Sequence, residues 1–270
     1  MNSMFSLKGK VAVVTGAQGN LGPVWTETLL DAGASVLAID LPGVSFSAGF
    51  RRLQTLYKES RLRSGQADVR DREALEALCV DCINSFGVPS ILVNNAGIDQ
   101  PPSDLRSGYR LEEIPFEVNR EIFEVNTLGA FLAAQVFGSQ MVKSGRGSII
   151  NIGSLYASVA PDSRFYNHID VDPPFLKPPA YGASKAALVN LTRYLATLWG
   201  PFDVRVNTLS PGGVLGNQDE NFKRKFCERV PMGRMATYED LKGALIFLAS
   251  DASSYVTGTE IVVDGGFTAW

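Results

Sequence analysis

The chain has 270 residues, of which 45% are hydrophobic and 20% are charged, enough for one compact domain with a large buried core. Its formal net charge of −3 gives no general attraction for nucleic acid, and we interpret the short basic runs at 51–52 and 223–225 as solvated charge. No apolar run approaches a membrane span, and residues 1–7 lack the form of a signal peptide. We therefore expect one cytoplasmic domain over residues 1–270, with no nucleic-acid or membrane partner.

The first predicted strand, near residues 11–15, leads into a glycine-rich turn and then an amphipathic helix. Gly16, Gly19 and Gly22 would let the backbone approach a pyrophosphate closely, and the positive end of the following helix would attract its charge. Pro23 suits the first helical turn, where its missing N–H costs nothing. Glycines in an isolated turn are more often structural, so this motif needs support from its surroundings.

Asp40 supplies that support, because it ends the second predicted strand 24 positions after Gly16. A carboxylate at this place accepts hydrogen bonds from the adenosine ribose and repels a 2′-phosphate. The sequence therefore predicts a dinucleotide site that favours NAD over NADP.

Strands and helical patterns alternate along the whole chain. We expect strands near 11–15, 35–40, 65–68, 90–94, 148–152, 204–209 and 260–264. Alternation of this kind predicts an α/β protein: a single-domain Rossmann fold, with a doubly wound parallel sheet of about seven strands and helices on both faces.

Cys79 and Cys82 have the spacing of a metal or redox pair, but the surrounding pattern has helical periodicity. Both thiols fall on the apolar face of that helix, and the sequence offers no second ligand pair. We therefore predict core packing and no metal site.

Tyr181 and Lys185 stand four residues apart on a predicted helix, so their side chains share one face. A phenol titrates near pH ~10, and one that exchanges protons at neutral pH needs a fixed cation beside it. Ser154 follows a strand at the carboxyl edge of the sheet, where α/β ligands bind. Asn126 lies beside an apolar helical stripe, where a buried amide requires partners.

Taken together, these motifs and the Asn95-Ala96-Gly97, Pro211-Gly212 and Asp264-Gly265-Gly266 segments make the chain resemble the classical short-chain dehydrogenase/reductase family over essentially its full length. The resemblance implies four catalytic residues. Tyr181 would be the general acid/base, Lys185 would lower its pKa and bind the nicotinamide ribose, Ser154 would polarise the substrate oxygen, and Asn126 would support a proton-relay water.

The resemblance also implies an NAD site, a small-molecule substrate and pairing of helices into a homotetramer, with a dimer as the alternative. The cofactor-binding positions that it implies, together with those of the glycine turn, are Gly16, Gln18, Gly19, Asn20, Leu21, Gly22, Asp40, Asp68, Val69, Asn95, Ala96, Gly97, Tyr181, Lys185, Pro211, Gly212, Gly213 and Val214. Asp68 could instead cap the helix that begins near Asp71. Asn20 stands where glycine is usual, and asparagine tolerates left-handed backbone geometry.

Residues 161–179 form an insertion rich in Pro and Asp, which places Tyr181 27 positions after Ser154, about twice the usual separation in the family. A connection this long predicts a functional lid over the substrate. The candidate substrate-binding residues are Arg164, Tyr166, His168 and Asn217. A solvated loop is the alternative for His168.

The polar insertion suits a hydroxylated or anionic ligand, and the sequence resembles the sugar-acid and polyol branch of the family, as well as dehydrogenases of nonulosonic-acid and flagellin-modification pathways. We expect an NAD-dependent oxidoreductase that interconverts a secondary alcohol and a ketone on a sugar, sugar phosphate, sugar acid or polyol. Alternatives are a reductase of 3-oxoacyl or other hydrophobic carbonyl substrates, a sugar-nucleotide epimerase or dehydratase of the extended branch, and a non-catalytic NAD-binding regulator or scaffold.

Overall fold

Buried apolar runs form a single parallel sheet. The structure, a computed structural model, describes residues 3–99 and 109–270. Within these ranges seven strands lie in the order β3-β2-β1-β4-β5-β6-β7, and every pairing is parallel. They are β1 (Val11–Thr15), β2 (Ser35–Asp40), β3 (Leu62–Gln66), β4 (Ile91–Asn94), β5 (Gly147–Ile152), β6 (Val204–Pro211) and β7 (Glu260–Val263). The order reverses between β1 and β4, which opens a crevice at their carboxyl ends.

The helices cover both faces of this sheet. They are α1 (Gly22–Asp31), α2 (Ala48–Leu56), α3 (Arg72–Phe86), α4 (Phe116–Phe123), α5 (Ala130–Ala133), α6 (Ser139–Ser144), α7 (Pro179–Trp199), α8 (Glu220–Glu228) and α9 (Tyr238–Ala249). Two π-helical segments, Glu124–Gly129 and Ala134–Gly138, join α4, α5 and α6 into one continuous helix. The prediction of a doubly wound parallel sheet with helices on both faces is confirmed.

Each face of the sheet has its own hydrophobic core. Trp25 of α1 and Leu245 of α9 pack on one face, and both are fully buried. On the other face, α3 packs beside α7 and the long helix, and Cys79 and Cys82 of α3 are buried in that cluster. The prediction that these thiols pack in the core is confirmed, and burial raises the pKa of Cys79 to about 11.

The position of β3 corrects one prediction. The strand expected near 65–68 lies at Leu62–Gln66, and only Leu62 within it is buried. This strand is at the edge of the sheet, so its other residues need no apolar side chains and its pattern carries little signal.

A third hydrophobic cluster lies away from the sheet. Phe165 and Tyr166 of the insertion pack against Phe222 and Phe226 of α8, and the ring centroids of Phe165 and Phe226 are 5.6 Å apart. The first half of the insertion is therefore packed against α8, and it forms one wall of a cleft beside the crevice.

Candidate active site

The turn after β1 is built around glycine. Gly16 has φ +64°, and a Cβ added there would lie 2.7 Å from the Ala96 Cα atom. A Cβ on Gly22 would lie 2.3 Å from the Gly16 carbonyl oxygen. No larger residue fits either position without moving backbone. The backbone of the turn therefore packs closely against its neighbours and leaves space beyond the carboxyl ends of β1 and β4.

Asn20 does not take the left-handed geometry considered for it. Among the non-glycine residues that the structure describes, only Asp203 has positive φ. The Asn20 carboxamide oxygen instead accepts a hydrogen bond of 2.7 Å from the Tyr238 hydroxyl at the start of α9. The loop tolerates Asn20 because Gly16 alone makes the left-handed step of the turn.

The beginning of α1 can accept an anion. Its N-cap residue, Leu21, has no side-chain capping bond, so the first N–H groups of the helix have no side-chain partner. At the far side of the turn, the Asp40 carboxylate accepts hydrogen bonds from the Gln18 N–H at 2.6 Å and from the Leu41 N–H at 2.8 Å. The carboxylate is thereby fixed at the end of β2.

These groups border a cleft of about 520 Å³ that runs across the switch point. Of the predicted cofactor-binding residues, all but two line it: Gly22 packs beneath the turn, and Gly213 lines the neighbouring cleft. Arg70, which sequence reasoning missed, also lines the cleft and holds Asp68 with a shortest contact of 2.6 Å. The helix cap is Asp71, whose carboxylate accepts from the Ala74 N–H, so Asp68 is left to face the cleft.

Asn126 is fully buried within the first π-helical segment. Its Oδ1 accepts from the Ile98 N–H at 2.8 Å, and its Nδ2 donates to the Ile98 carbonyl and to the Ser184 Oγ, each at 3.1 Å. The amide thus has the partners that its burial requires. It ties the segment after β4 to α7, one residue before Lys185.

Ser154 and Tyr181 meet where the two clefts join, and both line each cleft. Ser154 follows β5 and caps a short turn by accepting from the Tyr156 N–H at 3.2 Å. Burial raises the pKa of the Tyr181 phenol far above its ordinary value. The charge of Asp99 acts in the same direction, and the nearby Ser154 hydroxyl acts against it.

Lys185 lies one turn further along α7 and is 5% exposed. Its Nζ donates to the Ile152 carbonyl at 2.8 Å and lies 5.9 Å from the centre of the Tyr181 ring. Burial lowers the pKa of Lys185 to about 8, and Asp99 opposes this. The predicted i, i+4 pair therefore shares one buried site.

The second cleft has a volume of about 970 Å³ and lies between the insertion, α8 and the segment after β6. Tyr166, His168 and Asn217 line it, as do Ser154 and Tyr181. Its walls combine aromatic rings with carboxylates, amides and hydroxyls.

Arg164 is not brought to either cleft. Its side chain is 75% exposed and pairs with Asp162 at 2.6 Å. Because the next two residues, Phe165 and Tyr166, enter the third hydrophobic cluster, Arg164 is left on the outer surface of the insertion.

His168 holds the insertion against α8. Its Nε2 lies 2.7 Å from the Asp219 carboxylate, and its Nδ1 lies 3.1 Å from the Lys225 Nζ. Asp219 is also the N-cap of α8. His168 therefore lines the cleft while it is engaged by two groups of the facing helix.

Lys177 is a cleft residue that sequence reasoning missed. It comes from the insertion, is 9% exposed, and donates from Nζ to the Asp99 carboxylate at 2.8 Å. The only signal in the sequence was its position four residues before Tyr181, outside the helix.

The first cleft fits a dinucleotide. Added Cβ atoms at Gly16 and Gly97 would intrude on its floor, the latter 3.2 Å from the Asn126 Oδ1 and 3.4 Å from the Lys185 Nζ. The unpartnered start of α1 lies at its middle and the Asp40 carboxylate at one end. Tyr181 and Lys185 lie at the other end, next to the second cleft.

The chain is similar to known dehydrogenases over nearly its whole length. The family model described as enoyl-(acyl carrier protein) reductase matches residues 16–268. An NAD-dependent glycerol dehydrogenase of Listeria innocua is 30% identical, over 98% of this chain and 96% of its own length. A 2-dehydro-3-deoxy-D-gluconate 5-dehydrogenase of Dickeya dadantii is 32% identical, over 98% of both chains.

A solved structure is similar over the whole fold. The gluconate 5-dehydrogenase of Burkholderia cenocepacia, determined with NADP and tartrate, superposes with a TM-score of 0.84 at 29% identity, over 99% of this chain and 98% of that one. The chain belongs to the short-chain dehydrogenase/reductase family. It is an NAD(P)-dependent oxidoreductase that acts on CH–OH groups and interconverts a secondary alcohol and a ketone by hydride transfer.

Proposed function

We propose that this enzyme oxidises or reduces a sugar, sugar phosphate, sugar acid or polyol with NAD, and that Tyr181 is its general acid/base. The observation that supports this most strongly is the position of Ser154, Tyr181 and Lys185 at the junction of the dinucleotide cleft and the polar second cleft. A substrate in the second cleft can reach the phenol and the cofactor cleft together.

Each catalytic side chain has one task in this proposal. Tyr181 takes the hydroxyl proton during oxidation and returns it during reduction. Ser154 donates a hydrogen bond to the substrate oxygen, and Lys185 supplies positive charge beside the phenol and binds the nicotinamide ribose. Asn126 fixes the segment after β4 and supports a water that relays the proton. Bound NAD would supply the hydride acceptor or donor.

The second cleft supports a hydroxylated substrate. Asn217, His168 and Tyr166 offer donors and acceptors along one side, and Asp99 with Lys177 does so on another. The relatives named as acting on glycerol and on a deoxygluconate use substrates of this kind. A fatty acyl chain would remove water from these polar groups and offer them no hydrogen bonds in return, which disfavours the hydrophobic-carbonyl alternative.

The position of Asp40 supports NAD over NADP, because its carboxylate lies at the end of β2 within the dinucleotide cleft.

We further propose that residues 161–179 act as a substrate lid. None of the helices within residues 3–99 and 109–270 is long and apolar enough to cross a membrane. A cytoplasmic homotetramer, with a dimer as runner-up, completes the proposal.

A panel of sugars, sugar acids, sugar phosphates and polyols, assayed by absorbance of the reduced cofactor, tests the function. With the best substrate, Tyr181→Phe should lower turnover by at least ~10²-fold while NAD affinity is retained, because only the proton carrier is removed. Tyr255→Phe, at a fully exposed tyrosine outside both clefts, is the matched control. Turnover of Tyr181→Phe equal to that of the control would remove Tyr181 from the mechanism.

A further inference from the structure

A second lysine faces Tyr181 from the insertion. The Nζ of Lys177 lies 5.1 Å from the centre of the Tyr181 ring, closer than the Lys185 Nζ at 5.9 Å. It also lies 5.4 Å from the centre of the Tyr156 ring. Two ammonium groups, one from α7 and one from the segment before it, therefore border the same phenol.

Burying the Lys177 side chain needs an explanation, because a lysine can usually extend its charge into water. This side chain is only 7% exposed, and its ion-pair partner is Asp99, after β4. An ion pair in such a place is a weak source of stability, since both charges lose hydration. Its location, beside the phenol and on the wall of the substrate cleft, points to a role in the reaction.

We propose that Lys177 is a positioning residue that, held by Asp99, acts with Lys185 to promote ionisation of the Tyr181 phenol during the reaction. This inference rests on the proposed role of Tyr181 as the acid/base. It assigns to the insertion a part in proton transfer in addition to covering the substrate.

The charges around Tyr181 set the direction of the effect. Lys185 and Lys177 stabilise a phenolate, whereas Asp99 destabilises it. Because Asp99 lies 2.8 Å from Lys177, each charge offsets part of the effect of the other on the phenol. Removing one of the two charges therefore leaves the effect of the other uncompensated. The other phenols and ionisable groups that line the same cleft are Tyr156, Tyr166, Tyr238, His168, Asp170 and Asp219.

Removing Lys177 should move the pH dependence of catalysis. A charge within about 4–6 Å typically shifts a pKa by about 1–3 units, and Lys177→Met would also leave the Asp99 charge uncompensated. Both effects oppose phenolate formation. The limb of the kcat/KM profile that reports Tyr181 should move up by about one pH unit or more.

The shift should have the same sign in both reaction directions. Oxidation needs the phenolate and rises with pH through this limb, so at a pH below the limb kcat/KM should fall by about tenfold. Reduction needs the protonated phenol, so its activity should persist to higher pH in the variant. A loss of stability alone would not produce this pair of changes.

Asp99→Asn tests the opposite change in charge. It can be measured even if the Lys177→Met variant does not fold. It removes the negative charge but keeps the lysine, so the limb should move to lower pH. The double variant, Lys177→Met with Asp99→Asn, removes both charges and should return the limb towards the wild-type position. Lys177→Arg keeps the cation and should leave the limb near its original place.

Lys58→Met, an exposed lysine after α2, is the matched control for the substitution itself. An unshifted profile in Lys177→Met, even with activity lowered equally at every pH, would overturn the inference, as would an equal shift in Lys177→Arg. These outcomes are separate from failure of the proposed function. That failure would appear as full turnover in Tyr181→Phe.

Discussion

The Lys185 ammonium is buried and donates to one backbone carbonyl, that of Ile152. Its native pKa of about 8 lies below the ordinary lysine value of 10.5, because burial disfavours the charge. Below the native pKa both the folded and the unfolded chains carry the proton. Between the two values only the unfolded chain does, so the contribution of this group to the free energy of unfolding rises with pH.

We therefore expect Lys185→Met, without added NAD, to lose part of the stabilisation that wild type gains on raising the pH. From about pH 7 to 9.5 the free energy of unfolding should rise more in wild type than in the variant, by on the order of 2 kcal/mol, as measured by denaturant unfolding. Comparing the two proteins cancels the titration of Cys79 and Cys82, which both contain. Equal slopes for Lys185→Met and wild type would show that this lysine keeps an ordinary pKa in the folded chain.

In our proposal, Asp40 sets the preference of the enzyme for NAD over NADP. Asp40→Ala removes the acceptor for the ribose hydroxyl and the charge that repels a 2′-phosphate. The ratio of kcat/KM for NAD to that for NADP should fall, mainly through a higher KM for NAD. Asp31→Ala, on the last residue of α1 and away from the cleft, is the control. If wild type already uses NADP as efficiently as NAD, the assignment of Asp40 is wrong.

Functional residues were predictable from the sequence where the whole motif lies within one strand, turn or helix. The glycine turn, Asp40 and the Tyr181–Lys185 spacing each lie within one strand, turn or helix, so their shared location follows from the sheet topology. Lys177 and Arg70 were not predictable in this way. Their positions depend on how an insertion and a loop fold against other elements, and a lysine or arginine in a loop is ordinarily solvated.

At the scale of elements, the insertion is the part that differs most from its expectation. A lid rich in polar residues was predicted, but Phe165 and Tyr166 anchor its first half in the third hydrophobic cluster. Three aromatic residues within a polar stretch were the available signal, and they had no periodicity because the segment is irregular. The edge strand β3 was misplaced for a related reason, since one buried residue cannot define a strand pattern.

This anchoring changes what substitutions in the insertion should do. His168→Ala removes the contacts with Asp219 and Lys225, so the cleft wall should loosen and KM for the best substrate should rise severalfold, with NAD affinity unchanged. Arg164→Ala is the control within the same segment, because its guanidinium lies outside the cleft. Steady-state kinetics that match for the two variants would mean that His168 neither binds substrate nor holds the wall.

At the scale of the whole molecule, the two helices expected to pair bury most of their apolar residues within the single chain. On the helices that the sequence predicts over about 121–142 and 183–199, the apolar and small residues exceed what one sheet face should require, and they include Ala130, Phe131, Ala133, Ala134, Leu188, Leu191, Leu195 and Leu198. Five of them are buried within the single chain, Phe131 and Leu191 are partly buried, and only Leu198 is exposed. The sequence pattern could not separate these cases, because a helix buried by its own sheet and one buried by a partner look alike.

The exposed apolar side chains that support pairing are different ones. Leu128, in the π-helical segment after α4, is 58% exposed, and Tyr194 and Leu198 of α7 are 62% and 50% exposed. They lie on the two helices that the family resemblance implies pair across a twofold axis. A symmetric interface brings the same patch from each copy together.

We expect light scattering at micromolar concentration to give four times the chain mass of 29.2 kDa. Leu128→Asp would place charges of the same sign at that interface, so the measured mass should fall to that of a dimer or a single chain. Leu56→Asp is the matched control, because Leu56 of α2 is also 58% exposed and lies on a different helix. A wild-type mass equal to one chain would exclude both the tetramer and the dimer. An equal loss of mass in both variants would instead show that the effect is not specific to the Leu128 surface.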